Sequence, residues 1–165
     1  MLWLRFNPYR AMRGASYSQA ATNLATFGLY NNTRGAELLV LWIASCIFGG
    51  DIISGLHQGL AGTVQTNTTP FMPSQAPTAG QVTFQDTASV ISYDLAPVFQ
   101  NNLAPHMNPI VPWIVLEPGW SYLFQDQKTG QTDSMSFIWQ SVHREDLSGM
   151  PCSVCTPWLM VTATG

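Results

Sequence analysis

The chain has 165 residues, of which six are Lys or Arg and nine Asp or Glu, giving a formal net charge of −3. That length fits one domain able to bury roughly two-thirds of its unfolded surface without metals or disulfides. So small a net charge gives no reason to expect nucleic acid or acidic partners.

Charged residues make up 9% of the chain, against about 25% in typical soluble domains. The surface must then be covered by Ser, Thr, Asn, Gln and apolar groups, or lie against partners. A monomer with so few ionised groups is poorly protected from association, which favours an obligate assembly or a symmetric oligomer. The plainer alternative is a polar, uncharged surface of the kind many secreted proteins carry.

Residues 1–21 are aromatic and basic, then small and polar, with no sustained period, and read as an extended N-terminal arm. Arg5, Arg10 and Arg13 lie in its first fourteen residues, and no acid precedes Glu37. With Trp3, Phe6 and Tyr9, these arginines are the candidate contacts to a neighbouring subunit, since a basic arm can dock on an acidic neighbour or a phosphate backbone; a solvated tail is the alternative. The start lacks the apolar run and small-residue cleavage site of a signal peptide, so synthesis in a reducing cytoplasm is expected.

A domain over 22–148 follows. Leu24 to Tyr30, the turn Asn31-Asn32-Thr33-Arg34-Gly35 and the run Glu37 to Phe48 read as a hairpin feeding a long central strand, because Asn and Gly tolerate the positive φ of hairpin turns. A helix competes for 36–48, since Glu, Leu and Ala favour it. Strand is preferred because Val, Trp, Ile, Cys and Phe crowd the run and glycines close both ends. Both faces are apolar, so both should be covered. At eleven residues, Leu38 to Phe48 is well short of the about 20 a membrane-spanning helix needs, and no membrane partner is expected.

Ile52 to Leu60 reads as a weaker strand in which Gly55 and Gly59 mark a bulge or a close backbone approach. Residues 62–80 carry no charge and three prolines, a long surface loop whose Phe71 and Met72 join the candidate interface. Short strands are predicted at Val82–Phe84 and Ala88–Tyr93. Pro97, Pro105, Pro109 and Pro112 then confine the chain to an edge of the sheet or to one end of the sandwich. Three further strands, Trp113–Leu116, Trp120–Gln125 and Thr132–His143, read as consecutive antiparallel neighbours joined by tight turns. The tail over 149–165 contains Cys152 and Cys155 and ends in a run that could form one last strand. Together these elements predict an all-β protein, an antiparallel β-sandwich or jelly roll.

Few residues suggest chemistry. Cys152-x-x-Cys155 lacks the second ligand pair of a structural zinc site, though His143 is close enough in sequence to supply a third ligand; packed, reduced thiols are the preferred reading. Cys46 sits in an apolar run as a small buried hydrophobe. A Ser could combine with His57, His106 or His143 and an Asp, but no nucleophile-elbow signature supports it. Glu145 and Asp146 are sequence neighbours that point differently and do not suit glycoside cleavage. The reading is therefore of no catalytic residues, no metal and no cofactor. Trp113, Trp120, Tyr122, Phe124, Phe137 and Trp139 could line a carbohydrate-binding face, but the two-residue period suits burial in the core better.

Leu29-Tyr-Asn-Asn-Thr-Arg-Gly with its following apolar strand, Pro112-Trp-Ile-Val-Leu-Glu-Pro-Gly-Trp-Ser, and Ser136-Phe-Ile-Trp resemble a theme of bacteriophage virion structural proteins. The resemblance touches about half the chain, leaves the Cys-x-x-Cys tail aside and carries over no site residue. It implies a β-sandwich, often trimeric, that decorates a capsid or forms part of a tail or spike. Implied with it are a non-enzymatic structural role in the virion, synthesis in the host cytoplasm, other virion subunits as partners, and homo-oligomerisation. A receptor- or glycan-binding module of a tail or spike is the alternative.

Overall fold

A computed structural model of the chain describes residues 12–65, 69–70, 79–100, 108–110 and 114–144. Twelve strands occur among them: β1 (Met12–Ala20), β2 (Leu24–Tyr30), β3 (Glu37–Ile47), β4 (Ile52–Gln58), β5 (Thr63–Gln65), β6 (Thr69–Pro70), β7 (Gln81–Thr87), β8 (Leu95–Gln100), β9 (Asn108–Ile110), β10 (Ile114–Leu116), β11 (Trp120–Thr129) and β12 (Thr132–His143). They form two antiparallel sheets packed face to face, an all-β sandwich as expected. Sheet A runs β10-β3-β12-β1-β6, with β9 also paired to β3, and sheet B runs β5-β7-β2-β11-β4-β8.

The core follows from strand alternation. On β12, Met135, Phe137 and Trp139 are buried, while Ser134, Ser136 and Ile138 between them are partly exposed. On β11, Tyr122 and Phe124 face inward and stack edge-on at 5.0 Å, and Phe124 meets Phe137 of the facing sheet at 5.8 Å. Phe27 is the hub of the other half, 5.3 Å from Tyr17 and from Phe84 and 5.4 Å from Phe48. Such ring pairs add to the burial of area itself. The run 37–47 is a strand and not a helix, and Cys46 is buried in the core.

β3 carries a bulge. Its pairing with β12 slips between Ile138 and Trp139, which face Ile43 and Leu41 and leave Trp42 as the extra residue. The slip changes the inward phase, so Leu39 and Leu41 face the core before it and Ala44 and Cys46 after it.

Four expectations are corrected. The Leu24–Phe48 segment is not a hairpin: β2 lies in sheet B and β3 in sheet A, so the Asn31–Gly35 turn is a corner between sheets. Likewise β10, β11 and β12 are not neighbours, because each successive strand crosses to the other sheet. Turn residues fix a change of direction, whereas pairing partners are set by distant core contacts. Residues 12–20 of the expected arm form β1, paired along its length with β12; its short alternation of Ala15 and Tyr17 against Ser16 and Ser18 is weak in sequence but completes the sheet. Residues 1–11 lie outside the described residues.

Finally, Ala88–Tyr93 is a strap and not a strand. β7 and β8 sit on opposite sides of sheet B, and 88–94 crosses its outer surface between them. Ile91 N–H donates to Gln125 Oε1 at 3.3 Å, Tyr93 O–H to the Ile53 carbonyl at 3.2 Å, and Asp94 N–H to the Leu56 carbonyl at 2.9 Å. The expected bulge is the slip of the β4–β8 pairing between Ser54 and Leu56, and what approaches Gly55 is a side chain, the Tyr93 ring, and not backbone. The proline-rich segment keeps to the edges, as β8 of sheet B and β9 beside β3.

Candidate functional site

The outer face of sheet A is the surface that chemistry singles out. Leu38, Val40 and Val142 are buried together there, with Trp42 and Val115 packed against them. Register places Val142 opposite Leu38 and Val115 opposite Val40. Beyond the bulge the same face continues through Ile43 and Ile47, 42% and 44% exposed. Beside this stripe runs a serine ladder, in which Ser136 Oγ donates to Ser16 Oγ at 2.8 Å. Ionised groups gather at one end, where Arg144 pairs with Glu117 at 3.1 Å and Ser141 Oγ donates to Glu37 Oε2 at 3.1 Å. The signal was present in sequence as a strand apolar on both faces. What it could not supply was which residues the bulge leaves in solvent.

Of the candidate interface residues, Arg13 is described: it lies in β1 opposite Trp139, and alternation puts it on the inward side with Ala15 and Tyr17. Trp3, Arg5, Phe6, Tyr9, Arg10, Phe71 and Met72 lie outside the described residues, as do Trp113, Cys152, Cys155, His106, Glu145 and Asp146. Tyr122, Phe124, Phe137 and Trp139 belong to the core, and Trp120 is half-buried.

Two buried polar centres hold the corners between the sheets. At one end Asn31, fully buried, donates from Nδ2 to the carbonyls of Glu37 and Leu116 at 3.1 and 2.9 Å. Its Oδ1 accepts the Thr33 N–H and hydroxyl at 3.1 and 2.7 Å. Its main chain bonds Trp120 and Gly119, so one residue ties the β2–β3 corner to the β10–β11 corner.

At the other end the centre is a pair of carboxylates, Asp126 from a stretch that reads as a polar turn and Asp133 from within the predicted strand Thr132–His143. Asp126 ends the regular part of β11 and Asp133 opens β12, one in each sheet. Asp126 Oδ2 accepts the N–H groups of Gly49 and Gly50 at 2.8 and 3.2 Å, and Oδ1 that of Lys128 at 2.8 Å. Gly49 N–H is shared with Asp133 Oδ1 at 3.3 Å. The approach requires a glycine at position 50: a Cβ there would lie 2.6 Å from Asp126 Oδ1 and 3.0 Å from the Lys128 backbone nitrogen. Burial, the Asp126 charge and a bond between the two carboxyls push Asp133 up to about 7. Burial and both carboxylates push the Cys46 thiol up to about 12, which makes it inert.

His57, Asp94 and Ser121 are the closest approach to a hydrolytic set. His57 Nδ1 is 3.3 Å from Asp94 Oδ2, and Ser121 faces His57 across the β11–β4 ladder. The Ser121 hydroxyl, however, is buried and donates to the Gly59 carbonyl at 2.6 Å, so it is not held as a nucleophile by His57. Among the described residues no three His, Cys, Asp or Glu side chains converge as a metal site. No protein-family model, curated protein or solved structure matches this chain. Its own surface therefore has to carry the functional reading.

Proposed function

We propose that the chain is a non-enzymatic structural protein of a bacteriophage virion, a capsid decoration or minor structural subunit that stabilises the particle through contacts between subunits. The apolar outer face of sheet A carries the subunit contact. Exposed Ile43 and Ile47 continue a row whose other members, Leu38, Val40 and Val142, are already buried within the chain, and neighbouring exposed apolar side chains of this kind offer a protein–protein contact. The scarcity of ionised residues fits a surface that spends little of its life in free solution. The virion setting comes from the sequence resemblance around Leu29–Gly35, Pro112–Ser121 and Ser136–Trp139.

Sedimentation velocity on the wild type and on an Ile43→Asp, Ile47→Asp double variant tests this. An oligomer that the double variant dissociates by roughly a hundredfold or more in Kd, since each carboxylate would be buried unpaired, is expected. Far-ultraviolet circular dichroism should remain that of a β-sandwich. Unchanged association in the variant would remove this face from the contact.

A further inference from the structure

Asp126 and Asp133 are 0% and 1% exposed, and the mutual arrangement of their oxygens leaves one unfilled role. Asp126 receives three backbone N–H groups. Asp133 has a share of one, and its Oδ2 has no donor within reach while both groups are read as acceptors. Two charges at this depth, offset only in part by Lys128, are costly, whereas a proton on Asp133 supplies the missing donor. We propose that Asp126 and Asp133 share a single proton, carried on Asp133, which makes the corner between the two sheets a pH-sensitive clasp, closed while the proton is held and strained once it is lost.

The surrounding groups leave this role to the pair. From β3 comes Cys46, a neutral thiol. From the end of β11 comes Lys128, whose charge partly offsets that of the carboxylates. The β3–β4 corner brings Asp51, exposed to water. β1 contributes Gln19, opposite Asp133, and Ser18, whose hydroxyl donates to the Asp133 carbonyl at 3.2 Å; neither titrates. Tyr17, raised by burial, stays neutral.

The Asp133 carboxyl is raised from 3.8 to about 7, so between those values the folded chain holds a proton that the unfolded chain has released. Its stabilising contribution is complete below about pH 4 and declines as pH rises to about 7. Above that it is constant. The proposal is independent of what the chain assembles with.

Urea unfolding of the wild type and of Asp133→Asn at pH 5 and pH 8 tests it. The amide donates without titrating, so the wild-type unfolding constant should rise by roughly tenfold to a hundredfold more than the variant's between these pH values. Should the variant fail to fold, carboxyl carbon NMR of the wild type decides: an Asp133 titration midpoint near neutrality is expected. Equal pH dependence in the two proteins, or a midpoint in the ordinary carboxylate range, overturns the proposal.

Discussion

Asn31 and Asp126 share a situation that local sequence could not reveal, since both sit in stretches that read as turns and both are fully buried. Asn is a common turn residue because its side chain bonds nearby backbone, and the Thr33 contacts follow that rule. The bonds to Glu37 and Leu116 do not, since Leu116 is 85 positions away. Replacing Asn31 by Ala should lower stability by about 2 kcal/mol in urea unfolding, because the Leu116 carbonyl and the Thr33 N–H lose their side-chain partner at once, while the Thr33 hydroxyl can still donate to the Glu37 carbonyl. Asn31→Asp should be at least as damaging, since it points an acceptor at two carbonyls while keeping the Thr33 contacts. A mild effect of Asn31→Asp would mean that the corner is held by its backbone alone. What the residues did disclose was burial by alternation: Phe137 with Trp139 and Tyr122 with Phe124 share the inward faces that their spacing implied.

At the level of elements, strands were legible and their partners were not. β3, β4, β7, β11 and β12 fall where β-branched and aromatic runs put them, because those side chains suit a pleated, half-buried surface. Pro97 hides β8 from a propensity reading, while the β-branched and aromatic Val90, Ile91 and Tyr93 make Ala88–Tyr93 resemble a strand. The strap instead uses Tyr93 to roof Gly55, an arrangement fixed by a missing side chain on a distant strand. Gly55→Ala would set a methyl group 2.7 Å from Tyr93 Cδ1, so it should destabilise by about 1–3 kcal/mol through overpacking. A double-mutant cycle with Tyr93→Ala checks the cause. If the ring is what the methyl group strikes, Gly55→Ala should be markedly less harmful in the Tyr93→Ala background; additive effects would place the strain elsewhere.

For the whole molecule, both the scarcity of charge and the crossing of successive strands between sheets bear on assembly. Crossing closes the corners tightly through Asn31 at one end and the Asp126–Asp133 pair at the other, which leaves the exposed part of a sheet face for contact. The outer face of sheet B is partly roofed by the strap, whereas that of sheet A ends in exposed Ile43 and Ile47. Association through such a face is driven by apolar area and should survive salt that screens surface ion pairs. The most direct measurement is therefore light scattering of the purified chain over a range of concentrations in 0.15 M and 1 M sodium chloride, salt values being of the order that spans the screening range. A mass that is a multiple of 18.1 kDa and persists at the higher salt is the expected result; a mass of one chain at every concentration and salt would contradict the subunit role.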